Sequence, residues 1–479
     1  QKTTYTYDAA GRIHTMEDAL GTTTYTYDAN GNVLTVSDAS GTITRTYDCM
    51  NRVKTYTDCR GNTVSYSYDE LGNLISLTYP GGEIVRYSYY KNGYLKSVTD
   101  WENSSTVYHY DGAGNRIETM RPNGSVEPRT YDAADQLIRQ REIAQQEILH
   151  DYQYTYDSNG NITEVRGSNT EGIRKETTEL SSAEMTYDAA NRMISYNGEK
   201  ILYDADGNMI YGPVDGQMTK LTYDCRNRLI SAGGVTYTYD AENNRISAET
   251  EDIIEEYVTD MVSTRLSRIL TMAVTDKETN RKETTRYLYG NGLICEQAGN
   301  QTLYHHYNQV GSTTELTDAD GRLLYTYSYG TYGELLNGNK TITRFLYNGQ
   351  YGVSTDSNGL YYMRQRYYSP QLKRFLNQDI VTGDLKESQS LNRYCYVQGN
   401  PVSLTDPFGL SPLENPEKWL PFIHTILDVI GCIPGPVGMA ANLINGILYF
   451  LVDHDPLMGG LSMLAVVTAG ASKLAVGVG

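Results

Sequence analysis

The dipeptide Tyr-Asp recurs along the first half of this chain at a nearly fixed interval, and no other feature restricts its fold as much. It stands at Tyr7, Tyr27, Tyr47, Tyr68, Tyr110, Tyr131, Tyr156, Tyr187, Tyr203, Tyr223 and Tyr239, with first steps of 20, 20 and 21 residues. The gap of 42 between Tyr68 and Tyr110 is two such steps, and at its midpoint, Tyr89, the register survives although Tyr90 replaces the aspartate. Beyond Tyr131 the steps loosen to 25, 31, 16, 20 and 16.

Three residues past each aspartate stands Gly, Asn or Asp, from Gly11, Gly31 and Asn51 through to Asn243. These three types enter the left-handed backbone region most readily. The next residue is always Asn, Arg or Gln, and the aspartate is placed to accept a backbone N–H two residues on, which closes an Asx-type turn. Runs such as TTTYTY (22–27) and NVLTVSD (32–38) flank the turns, β-branched and aromatic at period two. Each unit therefore reads as two strands and two turns. One unit cannot bury its Tyr face alone, so consecutive units must continue a single sheet. The 44 Tyr against 5 Phe and 2 Trp suit half-buried strands, in which the ring packs and the hydroxyl is expected to stay hydrated.

Several classes are disfavoured. With 40 Lys+Arg against 58 Asp+Glu the formal charge is −18, the wrong sign for tracking a nucleic-acid backbone. Six scattered cysteines show no C-x-x-C spacing, which argues against zinc. Asp204, Asp206 and Asn208 open like a calcium loop, but the twelfth position holds Asp215 rather than a bidentate glutamate, so the turn role is preferred and no metal or cofactor is expected. Gln1 lies inside a repeat already under way, so any signal peptide is expected outside this sequence.

YTYDANGN and YTYDAAGR resemble the tyrosine-aspartate repeats of the RHS protein family. The ordered series YHHYNQVGSTTELTDADGRLLYTYSYGTYGE (304–334), YYMRQRYYSPQLKRFLNQD (361–379) and NRYCYVQGNPVSLTDPFGL (392–410) resembles its repeat-associated core. The resemblance implies an all-β, spiralling sheet rolled into a hollow shell, capped by the core, with a variable C-terminal effector held inside as cargo. The expected divisions are a YD-repeat shell over 1–290, the core over 291–410 and an apolar helical pre-effector segment over 411–479. This chain departs from the family pattern at Lys373-Arg374-Phe375, at Asp379-Ile380 and at SQSLN (388–392).

The resemblance also supplies the candidate chemistry. In the family two aspartates form an aspartyl-protease-like pair that cuts after the leucine of D-P-x-G-L. Carried across, the pair is Asp379 and Asp406, and the cut falls between Leu410 and Ser411. Two close carboxylates cannot both ionise freely, so one keeps a proton while the other activates water. Arg374 is placed to orient a carboxylate or the peptide oxygen. The competing account makes Asp379 the end of a strand and Asp406 the first residue of an ordinary D-P-x-G turn. Arg364 and Arg366 read as arginines stacked among Tyr361, Tyr362, Tyr367 and Tyr368, and the adjacent His305 and His306 as structural residues pointing to opposite faces of a strand. The sequence contains no nucleophile elbow, phosphate loop or HExxH, which leaves single-turnover autoproteolysis as the one candidate activity.

After Leu410 the composition changes. Positions 429–452 carry no charge, a length that meets a membrane span. Pro434 and Pro436 break it early, however, and leave a helix of 16 residues. A shielded apolar bundle is preferred over membrane contact through 422–471. The expected function is encapsulation and delivery of a secreted toxin, with an immunity protein and delivery machinery as further partners. The alternative is a cell-surface or cell-wall adhesin that binds glycans through outward aromatic rows.

Overall fold

The computed structural model describes residues 2–169, 182–263, 266–380, 388–410 and Pro412. The segment 411–479 expected to be helical therefore lies outside the described residues, Pro412 excepted, as does Ser411.

Strands Thr4–Tyr7 through Ile162–Asn169 form one antiparallel sheet of 16, and Leu202–Tyr203 through Leu323–Thr326 a second of 13, each in strict chain order. Among the described residues neither sheet closes into a barrel. The turn chemistry explains this order, because each Asp-capped turn returns the chain beside the strand it has just left. Asp28 Oδ1 accepts the amides of Asn30 and Asn32 at 2.9 and 2.8 Å, and its Oδ2 accepts Asn32 Nδ2 at 2.8 Å. Gly31 donates back to Asp28 O at 3.2 Å. All eleven residues at this offset have φ between +60° and +90°, so the restriction to Gly, Asn and Asp is conformational. The strand pairing also shifts at each repeat tyrosine, as between Thr26 and Tyr27, and such bulges tighten the local twist.

Most repeat hydroxyls of the first sheet are not left to water. Tyr27 donates to Ile13 O at 2.8 Å, Tyr47 to Val33 O at 2.7 Å, Tyr68 to Val53 O at 2.9 Å and Tyr89 to Leu74 O at 2.8 Å. From Tyr27 to Tyr156 the repeat tyrosines thus fasten each unit to a strand of the unit before, a bond phenylalanine cannot make. This corrects the expectation of hydrated hydroxyls and gives a reason for the excess of Tyr over Phe.

One face of the first sheet buries Val36, Ile43, Tyr56, Val64, Tyr66, Leu77 and Val98 in a core shared with Tyr257, Leu270, Tyr287 and Leu293 of the second sheet. Cross-links follow the same order along both sheets. Asp18 meets Arg226 at 2.8 Å, Arg45 meets Glu242 at 2.6 Å, Tyr66 meets Asp260 at 3.0 Å, and Trp101 meets Gln297 at 2.8 Å. The second sheet therefore lies along the first as the next layer of a spiral. The other face of the first sheet carries cross-strand rows of hydroxyls, such as Thr26, Thr35, Thr44, Thr57 and Thr63.

A four-stranded sheet, Ser354–Thr355, Tyr361–Met363, Arg366–Ser369 and Arg374–Phe375, closes the described chain. Tyr361 and Tyr368 pack with Tyr347, Phe375 and Tyr396 in a separate cluster, while Tyr362 and Tyr367 face the core shared by the two large sheets. Arg245 joins it to the second sheet through Asp356 at 2.7 Å.

Candidate functional site

The last strand pair of this small sheet sets the geometry. Tyr368 lies opposite Phe375 and Ser369 opposite Arg374, so strand alternation puts Arg366, Tyr368 and Phe375 on one face and Arg374 on the other. Arg366 lies 3.6 Å over the Phe375 ring. Its Nη2 reaches Asp379 Oδ2 at 2.6 Å and Asp406 Oδ2 at 3.5 Å. Two oxygens that share one nitrogen at those distances lie within their sum of each other, about 6 Å. All three side chains are buried. Burial lowers the Arg366 pKa, and the two carboxylates oppose that shift without cancelling it.

Both candidate aspartates are thus brought to one cation. Asp379 is held through its backbone, whose amide donates to Arg393 O at 2.8 Å while Arg393 Nη2 donates to Asp379 O. Asp406 opens the expected turn, with Gly409 N donating to Asp406 O at 3.3 Å. Its Oδ1 accepts the Leu410 amide at 3.0 Å, the same bond to the fourth residue on that Asp28 makes in its repeat turn, and what separates this turn from those is that Oδ2 faces Arg366, the arginine that also holds Asp379. Asp406 therefore closes a turn and also touches the residue on the N-terminal side of the candidate bond.

Arg374, expected beside the carboxylates, is placed elsewhere by the same alternation. It donates to Asn191 O at 2.9 Å and lies over the rings of Tyr187 and Tyr394. The arginine that lies between the two carboxylates is Arg366, which composition and motif alone presented as a stacking residue. A signal was available in the sequence: Arg366 and Phe375 sit on either side of a short turn, whereas Arg374 neighbours Phe375 and must point away from it. Ser411 lies outside the described residues, and Leu410 is half-buried.

The turn 406–410 is held along its length. Arg364 Nη1 donates to Pro407 O at 2.5 Å, Gln365 N to Phe408 O at 3.2 Å, and Arg366 Nε to Gly409 O. Gly409 has φ +68°, and a Cβ there would come 2.6 Å from Met363 O, so only glycine lets the turn lie this close to the strand. His305 and His306 are elsewhere, buried near Glu296 at 3.4 Å and Glu142 at 3.1 Å respectively.

A family model described as the teneurin YD-shell matches residues 1–129 and 125–402. The chain belongs to the teneurin YD-shell family. Within this RHS/YD-repeat group it is 28% identical over 284 residues to the tRNA3(Ser)-specific nuclease WapA of Bacillus spizizenii, a match covering 54% of this chain and 11% of that protein. It is 33% identical over 124 residues to the toxin subunit YenC1 of Yersinia entomophaga, covering 25% of this chain and 12% of that one. The chain thus spans about a tenth of the length of these curated relatives. Among solved structures, the TcdB2-TccC3-Cdc42 complex superposes with a TM-score of 0.54 at 18% identity, over 85% of this chain and 27% of that one. That likeness concerns the fold.

Proposed function

We propose that this YD-shell chain is the encapsulating scaffold of a delivered, secreted toxin, and that Asp379 and Asp406 cut it once, between Leu410 and Ser411. The observation that carries the cleavage reading is the convergence of Asp379 and Asp406 on the one buried Arg366, at 2.6 and 3.5 Å, in the turn that ends at Leu410. The scaffold reading is supported by relatives named as a toxin subunit and a nuclease. Its cargo is the chain's own C-terminal segment, with delivery machinery and an immunity protein as outside partners. The exposed face of the first sheet carries Thr and Ser rows rather than the aromatic rows of a sugar-stacking surface, so delivery is preferred to adhesion.

In the reaction one carboxyl of the pair holds a proton while the other takes a proton from water. The hydroxide equivalent adds to the Leu410 carbonyl carbon. As the C–N bond to Ser411 breaks, the nitrogen takes up a proton, leaving a Leu410 carboxylate and a Ser411 amine. Arg366 offsets the repulsion between the carboxylates and holds the Gly409 carbonyl, and so fixes the segment relative to the pair. Intact-mass measurement on the full chain tests this. The wild type should yield fragments 1–410 and 411–479, while Asp379→Asn and Asp406→Asn should each stay whole and folded. A wild type that remains whole, or mutants cut as fast as it, would overturn the cleavage reading.

A further inference from the structure

Arg364 sits in the two-residue turn between Tyr361–Met363 and Arg366–Ser369, at φ +59°, a conformation uncommon for a residue with a side chain. The residue is half-buried with its guanidinium turned inward, and desolvation pulls its pKa down to about 10, so it stays charged at neutral pH. No carboxylate among the described residues pairs with it; its donors all end on backbone carbonyls. Nε and Nη2 reach Ser267 O at 3.2 and 2.8 Å, Nη2 also reaches Tyr351 O at 2.7 Å, and Nη1 reaches Pro407 O at 2.5 Å. Gly352 makes room for it, since a Cβ there would stand 2.9 Å from Nη2. A buried cation without a counter-ion is costly, and a neutral side chain would fill the space more cheaply. The fork matters because one planar group with five N–H donors serves three carbonyls from three segments, which a lysine cannot do.

We infer that Arg364 is a positioning residue that sets which peptide bond is presented to the Asp379/Asp406 pair, an inference that rests on the cleavage reading above. Residues 364, 365 and 366 take the carbonyls of 407, 408 and 409 one for one and in order. Arg366 holds the end nearest the cut, and Arg364 ties the other end to Ser267 and Tyr351, so the segment cannot slide. A slip of one residue would move the bond by about 3.3–3.6 Å, whereas a misplacement of about 1 Å already costs on the order of a hundredfold in rate. Arg364 acts through the backbone and makes no bond to either carboxylate in the described contacts, so its loss should leave the pH profile of cleavage in place.

The test uses the full chain as wild type, Arg364→Met, Arg364→Lys and Gly352→Ala, followed by intact mass over time and across pH, with circular dichroism to confirm folding. Arg364→Met should cut about a hundredfold more slowly, or at bonds beside Leu410–Ser411 as well, with an unchanged pH profile. Arg364→Lys and Gly352→Ala, which keep a cation at the site, should retain the fold yet also lose speed or fidelity, and they decide the matter if Arg364→Met does not fold. A wild type cut at Leu410–Ser411 alongside variants cut at the same bond and rate overturns this inference alone. A pH profile displaced by Arg364→Met overturns the positioning role in favour of an electrostatic one. A wild type that stays whole overturns both readings.

Discussion

Single residues in this fold act through bonds that cross from one repeat to the next. Tyr47 is half-buried and gives its hydroxyl to Val33 O at 2.7 Å, whereas Tyr79 is fully buried and gives its own to Tyr287 O of the second sheet at 2.6 Å. Removing the first hydroxyl with Tyr47→Phe should cost about 0.5–1.5 kcal/mol, the net worth of an ordinary hydrogen bond. Tyr79→Phe should cost more, about 1–3 kcal/mol, because it leaves a carbonyl underserved where water cannot reach. Denaturant titration of both variants checks the order, and an equal effect would mean that the tyrosines matter only as rings. The turn at each repeat was legible in the sequence because all of its bonds fall within four residues. The partners of the hydroxyls were not, because they stand 14 residues back for Tyr47 and 208 residues on for Tyr79.

At the scale of the hairpin, the same motif responds to pH in opposite ways according to burial. Asp28 is held below its ordinary pKa by the Asn32 side chain and by turn amides, against a smaller effect of burial. Its contribution is present above pH 3.8 and is lost as the pH falls through the folded value. Asp240 occupies the equivalent turn position and accepts Glu242 N at 2.9 Å and Asn244 N at 2.8 Å, but burial against the first sheet pushes it up to about 6. A carboxyl raised on folding weakens the folded state wherever it must ionise, so its cost is full above pH 6 and disappears as the pH falls to 3.8. Asp28→Asn should therefore destabilise at pH 7, with an effect that fades as the pH falls below 3.8 and is gone only below the folded value. Asp240→Asn keeps an acceptor for both amides, and should stabilise at pH 7 and lose that advantage by pH 3.8. Thermal melts of the two variants across this range decide it, and the same sign for both at pH 7 would refute the account. The repeat spacing makes these turns look interchangeable. They are not, because a period describes neighbours along the chain and carries no information about which turns the second layer covers. For the same reason Arg374 looked like the arginine of the site: proximity in sequence to Phe375 concealed that successive strand residues face opposite ways.

For the whole molecule, the two sheets act as one body through a buried polar seam. Glu142 of the first sheet is bonded to Arg121 at 2.9 Å and meets His306 of the second at 3.1 Å. Nearby His150 contacts Glu315 across the layers at 2.8 Å, and Gln140 Nε2 bonds Tyr307 O at 2.7 Å. Burial holds the His306 imidazole below its ordinary value, so it is largely neutral at pH 7, whereas Glu315 raises His150 in spite of burial. A fully buried carboxylate bonded to an arginine is not easily replaced, since removing it leaves the buried Arg121 with only Glu127 among the described residues, at 3.5 Å, to offset its charge without water. Glu142→Gln keeps the shape and removes the charge, and should cost about 3–5 kcal/mol, the usual consequence of breaking a buried pair. The loss should also be local. Amide exchange in strand Gln301–Tyr307 should quicken, while strands far along the spiral, such as Gly21–Tyr27, keep their protection because their own cross-links at Asp18 and Arg45 are untouched. Adding Arg121→Met to Glu142→Gln should recover part of the lost stability by removing a buried cation left with only the longer contact to Glu127, at 3.5 Å. Uniform loss of protection along the chain would show that the sheets unfold as one unit rather than separating from this seam.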